Sequence, residues 1–208
     1  MTDEKLTPYE EGKIFKMVEL ALRGGARIVQ LRDKNTPREE LLFYALQLKK
    51  LCSKFEALFI INDDVMLAKE VDADGVHIGK DDISLEEAVK KLPHKIIGVS
   101  CYGDLERALL AQALGASYVA FGSFYPSPTK PHAPTISLEI LLYAKKGLTI
   151  PICAIGGITL EKAKLLVEYG ADMLAVISDI WTSPLIEERA RAYANLFKEI
   201  GSGGGASI

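Results

Sequence analysis

Apolar residues gather along this chain in seven short runs separated by amphipathic stretches. Runs rich in Val, Ile and aromatic residues at 28–33, 58–63, 75–79, 96–101, 118–124, 151–156 and 173–178 predict buried strands. Between them, apolar positions recur at helical spacing over 38–54, 85–91, 105–114, 137–146 and 160–169. Two further helices are predicted at the chain ends, over 9–23 and 186–200. The order is strand then helix, repeated, which is the signature of a parallel α/β layer with helices outside.

A small punctuation mark recurs where helix hands over to strand: Gly25-Ala26-Arg27, Gly115-Ala116-Ser117 and Gly170-Ala171-Asp172. Glycine just past a helix end can take the left-handed cap conformation, after which the chain enters the sheet. This repetition favours a TIM (β/α)8 barrel. A dinucleotide-binding sheet would need Gly-x-Gly-x-x-Gly after its first strand, and the chain has none there. Only seven strands are legible, however, so the first strand of the barrel is expected to be short, divergent or missing. An unpaired buried edge is costly, and something must cover that gap. Residues 1–200 read as a single barrel domain and 201–208 as a flexible Gly/Ser-rich tail.

At 208 residues, with 49% hydrophobic content and mean hydropathy of +0.13, the chain can fill one large core. A net charge of −3 with no basic stripe argues against nucleic acid as a partner. No stretch approaches the roughly 18 uninterrupted apolar residues of a membrane span, and the start Met1-Thr2-Asp3-Glu4 is not a signal peptide. A cytoplasmic protein is expected, with assembly into a homo-oligomer left open. Cys52, Cys101 and Cys153 lack metal or redox spacing and read as buried, reduced packing residues.

Chemistry concentrates at the ends of the strand-like runs. Asn62-Asp63 ends one and Asp81-Asp82 follows the next, so a barrel would bring both to its C-terminal face. Two carboxylates there suit Mg²⁺, which takes a few hard oxygens and completes its shell with water and phosphate. The competing reading is that Asp63 and Asp82 merely cap the helices that follow. Gln30, Arg32 and Lys34 alternate along one strand and its end, so their side chains should leave on the same side and need an anionic ligand to satisfy them. A structural ion pair for Arg32 is the alternative. The proline-rich segment from Gly122 to His132 reads as a substrate-covering loop, with Lys130 reaching a diphosphate and Ser127 and Thr129 offering hydroxyls. Gly156-Gly157 and Ile177-Ser178 close the last two strands and suit a second phosphate cradle, although the glycines could form only a tight turn. His77, mid-strand, reads as packing or support, and Ser100 as a weak substrate contact.

These motifs together resemble the thiamine phosphate synthase family. The likeness runs from about Gly24 to Ser178 and rests on Gln-Leu-Arg-x-Lys, Ile-Asn-Asp, Gly-Val-His-Ile-Gly with an acidic pair, Gly-Val-Ser, Pro-x-x-Thr-Lys, Ile-Gly-Gly-Ile and Val-Ile-Ser. The resemblance implies a transferase of thiamine biosynthesis that joins 4-amino-2-methyl-5-hydroxymethylpyrimidine diphosphate to thiazole phosphate, releasing diphosphate, with Mg²⁺ as cofactor. It implies that Gln30, Arg32, Lys34, Asn62 and Lys130 hold the pyrimidine diphosphate, with Arg32, Lys34 and Lys130 the catalytic cations. Asp63 and Asp82 would bind the metal, and Ser100 would contact the pyrimidine. Ser127, Thr129, Gly157, Ile177 and Ser178 would hold the thiazole phosphate. Lys80, Ser127 and Asp179 depart from the family pattern, and Asp179 would repel a phosphate unless turned away. Two rival readings are a thiazole tautomerase-like isomerase, disfavoured by Ser123 where that enzyme resembles the synthase but carries histidine, and a non-catalytic paralogue that only binds a phosphorylated ligand.

Overall fold

The computed structural model describes residues 1–128 and 131–203. Seven parallel strands follow one another in sequence order around a curled sheet. They are β1 (Ile28–Leu31), β2 (Leu58–Asn62), β3 (Gly75–Ile78), β4 (Ile96–Tyr102), β5 (Tyr118–Phe121), β6 (Ile152–Ile155) and β7 (Met173–Ala175). The helices are α1 (Lys13–Arg23), α2 (Arg38–Lys54), α3 (Val65–Glu70), α4 (Leu85–Lys91), α5 (Leu105–Ala113), α6 (Glu139–Gly147), α7 (Leu160–Glu168), α8 (Ser178–Trp181) and α9 (Ile186–Gly203). The α/β barrel reading holds.

Side chains alternate between two cores. Phe59, Ile61, Val76, Ile97, Val99, Val119, Phe121 and Ile152 point outward and pack under the helices in one large cluster. Tyr118, Ala120 and Cys153 form a separate small cluster with Ile96, Met173 and Ala175. That second set is the lumen, filled by every other residue of the strands, as a small barrel requires. All three cysteines are buried and reduced, as expected.

The gap left by the missing strand is closed by the chain start. Thr2 N donates to Gln30 O of β1 (2.9 Å), while Met1 N donates to Val176 O just past β7 (3.2 Å). Trp181 Nε1 holds Met1 O from the α8 side (2.7 Å). Two residues therefore do the bridging work of a strand, too few to leave a hydrophobic pattern.

The Gly-Ala marks behave as their composition demands. Gly25, Gly115 and Gly170 all adopt positive φ, and the next residue's N–H reaches back to the helix: Ala26 to Ala21 O, Ala116 to Ala111 O and Ala171 to Leu166 O. The residue after the alanine then fastens the preceding strand. Ser117 Oγ accepts from Ile97 N, and Asp172 Oδ2 accepts from Ile152 N. Asp74, in the same place before β3, accepts from Phe59 N.

Several predicted boundaries move. The stretch 9–23 opens with a 3-10 turn at Glu10–Gly12, and Glu11 and Gly12 at positive φ break it from α1. The run 173–178 ends as strand at Ala175, and Ser178 begins α8 instead of closing β7. Helices α3 and α8 were too short to show a period. Helix α9 continues to Gly203, three residues past the predicted end, because a helix once started adds residues at little cost. The remainder of the predicted tail, 204–208, lies outside the described residues.

Candidate active site

β1 ends at Leu31, so Arg32 and Lys34 sit in the loop that follows and do not continue the strand alternation. That loop is tied down on both sides. Asp33 carboxylate accepts from Asn35 N, Thr36 N and the Tyr9 hydroxyl, the last at 2.6 Å. Burial opposes ionisation of Asp33, yet these donors hold its carboxyl below the ordinary value. From the chain start, Thr2 Oγ1 accepts from Arg32 N (2.9 Å) and Glu4 Oε1 from Lys34 N (2.7 Å). Thr2 and Glu4 were invisible in the sequence as site residues, since nothing local marks a segment that acts by crossing a distant strand end.

The acidic pair converges beside this loop. Asp63 leaves β2 with φ +67, a left-handed conformation aspartate tolerates, and its Oδ2 lies 3.1 Å from Lys34 Nζ. Asp82 reaches the same point from β3 and stands within hydrogen-bonding distance of Asp63. Burial, then the Asp82 contact, push the Asp63 carboxyl above its ordinary value, and Lys34 only partly offsets them. Neither aspartate caps a helix: Asp64 caps α3 through Leu67 N, and Ser84 caps α4 through Glu87 N. Asp82 Oδ2 instead accepts from Gly79 N (2.6 Å). Among the described residues, no cluster of three or more His, Cys, Asp or Glu side chains gathers anywhere, so a cation here would draw only two carboxylates from the protein.

A cleft of about 650 Å³ opens on the same end of the barrel, and Asp63, Asp82, Lys34, Gln30 and Asn62 are not among the residues that line it. Arg32 lines it from the loop after β1, Ser100 and Tyr102 from β4, and Ser127 and Pro128 from the proline-rich loop. Gly157, Ile177 and Ser178 line its far end. Gly157 takes φ +59 and packs so tightly under the loop that a Cβ there would lie 2.3 Å from Pro126 O. Among the described residues Arg32 makes no ion pair, which removes the structural-pair reading for it. Gln30 and Asn62 occupy lumen-facing, half-buried positions on adjacent strands. Thr129 and Lys130 lie outside the described residues.

Asp179 lines the cleft, but its carboxylate is turned onto partners in α7 and α9. Its Oδ2 accepts from Tyr193 Oη (2.6 Å) and Leu160 N (3.2 Å) and lies 3.5 Å from Arg189 Nη1, so its charge is spent on α7 and α9. Lys80 stacks loosely over Tyr102, 5.8 Å from the ring centre. His77 is bonded at both nitrogens, to Ser100 Oγ (2.7 Å) and Tyr118 Oη (2.8 Å), a supporting role rather than simple packing. No helix among the described residues is long and apolar enough to cross a membrane.

A family model described as thiamine monophosphate synthase matches residues 1–180. The chain is 49% identical over 183 residues to the thiamine-phosphate synthase of Thioalkalivibrio sulfidiphilus, covering 86% of each. It is 45% identical over 198 residues to that of Nitrosococcus oceani, covering 95% of this chain and 90% of the relative. Among solved structures, thiamine phosphate pyrophosphorylase from Pyrococcus furiosus superposes with a TM-score of 0.86 at 35% identity, covering 96% of this chain and 94% of the other. A 3-hexulose-6-phosphate synthase, at 20% identity and TM-score 0.68, shares the fold.

Proposed function

The chain belongs to the thiamine monophosphate synthase family and is a transferase of thiamine biosynthesis, and on that premise we propose the substrates, the metal and the roles of its residues. The pyrimidine diphosphate binds with its diphosphate against Arg32, Lys34, Asn62 and Gln30, and Lys130, outside the described residues, is assigned to the same diphosphate. The pyrimidine ring lies against Ser100. Thiazole phosphate takes the far end of the cleft, its phosphate received by Gly157, Ile177, Ser178, Ser127 and Thr129. The observation that carries this reading is the meeting of Asp63 with Asp82 and Lys34, on the end of the barrel where the Arg32 cleft also opens.

The residues fit Mg²⁺. Two carboxylates close enough to share a hydrogen bond, with one lysine beside them, leave excess negative charge that a hard divalent cation would neutralise. Asp63 and Asp82 would hold it, and when bound it supplies a Lewis acid against the charge of the departing diphosphate. Cleavage of the methylene–oxygen bond leaves positive charge on the aminopyrimidine methylene and negative charge on the diphosphate. Arg32 and Lys34 stabilise the latter. The thiazole nitrogen then attacks the methylene carbon with its own lone pair, so the step calls for positioning and no general base.

Ser123 stands where the tautomerase reading needs a histidine, and its hydroxyl is turned back onto Tyr125 O (2.8 Å). With both substrates and Mg²⁺, the purified protein is expected to form thiamine phosphate, read as fluorescent thiochrome after oxidation. Product no greater than a blank rejects the proposal. A cytoplasmic location and the absence of nucleic-acid partners follow from the same reading.

A further inference from the structure

Inside the lumen, three neighbouring strands place His77, Gly98 and Tyr118 in direct register, His77 opposite Gly98 and Gly98 opposite Tyr118. Gly98 is what lets the outer two meet. A Cβ on Gly98 would lie 2.1 Å from Tyr118 Cζ and 2.4 Å from its hydroxyl, so the phenol crosses β4 through space that only glycine leaves open. It ends 2.8 Å from His77 Nδ1, and the other ring nitrogen, Nε2, stands 2.7 Å from Ser100 Oγ. Ser100 lines the cleft, whereas Tyr118 and His77 are buried.

Hydrogen-bond accounting sets the direction of this chain. Among the described residues the Tyr118 hydroxyl has His77 Nδ1 as its one hydrogen-bond partner, and the residue packs with Ala120 and Cys153 in an apolar cluster. If Nδ1 carried the proton, the phenol would accept, and its own O–H would be buried without an acceptor. An orphaned buried donor costs more than an unused lone pair. The phenol therefore donates to Nδ1, the neutral imidazole carries its proton on Nε2, and Ser100 Oγ accepts from it. A charged ring would donate from both nitrogens and orphan the same phenol O–H, so the ring is neutral. With its oxygen so engaged, Ser100 has its O–H left for the cleft.

We propose that Tyr118 and His77 are positioning residues that lock Ser100 as a hydrogen-bond donor, so that the site selects a heteroaromatic ring presenting an acceptor nitrogen at that point. This deepens, and rests on, the reading of Ser100 as the pyrimidine contact. It assigns to Gly98 a role in specificity, as the slot for the phenol.

Tyr118→Phe removes one oxygen and keeps the packing. The KM for the pyrimidine diphosphate is expected to rise ~3- to 10-fold, the value of one hydrogen bond, while the KM for thiazole phosphate holds. In a Ser100→Ala background the same change is expected to cost nothing further. Gly98→Ala, which displaces the ring, is expected to repeat the pattern. Equal costs in both backgrounds, both KM values moving together, or no change in either would overturn the proposal. Nitrogen-15 spectra of the His77 ring in the resting protein are expected to show the proton on Nε2, and a proton on Nδ1 would also overturn it. If the wild type makes no thiamine phosphate, the functional reading falls, yet the tautomer measurement still decides the relay on its own.

Discussion

The two rims of the barrel use the same residue types to opposite ends. On the N-terminal rim, Asp74 accepts from Phe59 N and pairs with Lys49 Nζ at 2.9 Å, and Asp172 accepts from Ile152 N and pairs with Lys145 Nζ at 2.6 Å. Each carboxylate has one cation and one strand N–H to itself. On the C-terminal rim, Asp63 is crowded by Asp82 and meets Lys34, and among the described residues Arg32 pairs with no carboxylate. Saturated charge is structural, because every charge already has its partner. Unsaturated charge keeps part of its interaction energy for something that arrives, and that is what binding requires.

The contrast breaks most visibly at the acidic pair. Asp63→Ala or Asp82→Ala is expected to lower kcat/KM by about 10²-fold or more while leaving Tm near the wild-type value. A parallel collapse of Tm in either variant would make that carboxylate a structural one. Lys34→Met comes next, with a loss of about 10-fold or more in kcat/KM as diphosphate stabilisation falls.

Asp172→Ala should do the reverse. It leaves Ile152 N–H without its acceptor and Lys145 without its partner, so stability is expected to fall by about 1–3 kcal/mol, or several degrees in Tm for a chain of this size. Steady-state kcat should stay within error, and a large activity loss would erase the distinction between rims. A gentler probe is Mg²⁺ itself. At tenfold its dissociation constant the ion is expected to add about 1.4 kcal/mol to wild-type stability and nothing to Asp63→Asn, by thermal melts with and without chelator. Equal shifts in both proteins would move the metal elsewhere. The smallest expected effect is Lys80→Gln, an exposed cation whose removal should alter kcat/KM by less than about twofold.

How much of this was legible in advance follows from range. Helices at 38–54 and 85–91 are found at those bounds because periodic apolar positions encode them, with Ser84 capping the second. The acidic pair and the Arg32–Lys34 loop were legible because charge breaking an apolar run stands out locally. The cap-or-ligand question for Asp63 and Asp82 was not, since a shift of one or two residues hands the caps to Asp64 and Ser84. Asp179 looked harmful beside a phosphate until Tyr193 and Arg189, from α9, were seen to hold it.

What the sequence by itself determined is the succession of strands and helices, the Gly-Ala hinges and the end of the barrel where charge collects, all written in residues near one another. Tertiary structure alone decided that Met1 and Thr2 close the seam, that Asp63 meets Asp82 and Lys34, and that Tyr118 reaches His77 past Gly98. Those contacts join residues up to 175 positions apart. Their energy comes from satisfying buried polar groups that have no local partner, and no period or spacing in a single chain records which distant group will supply it.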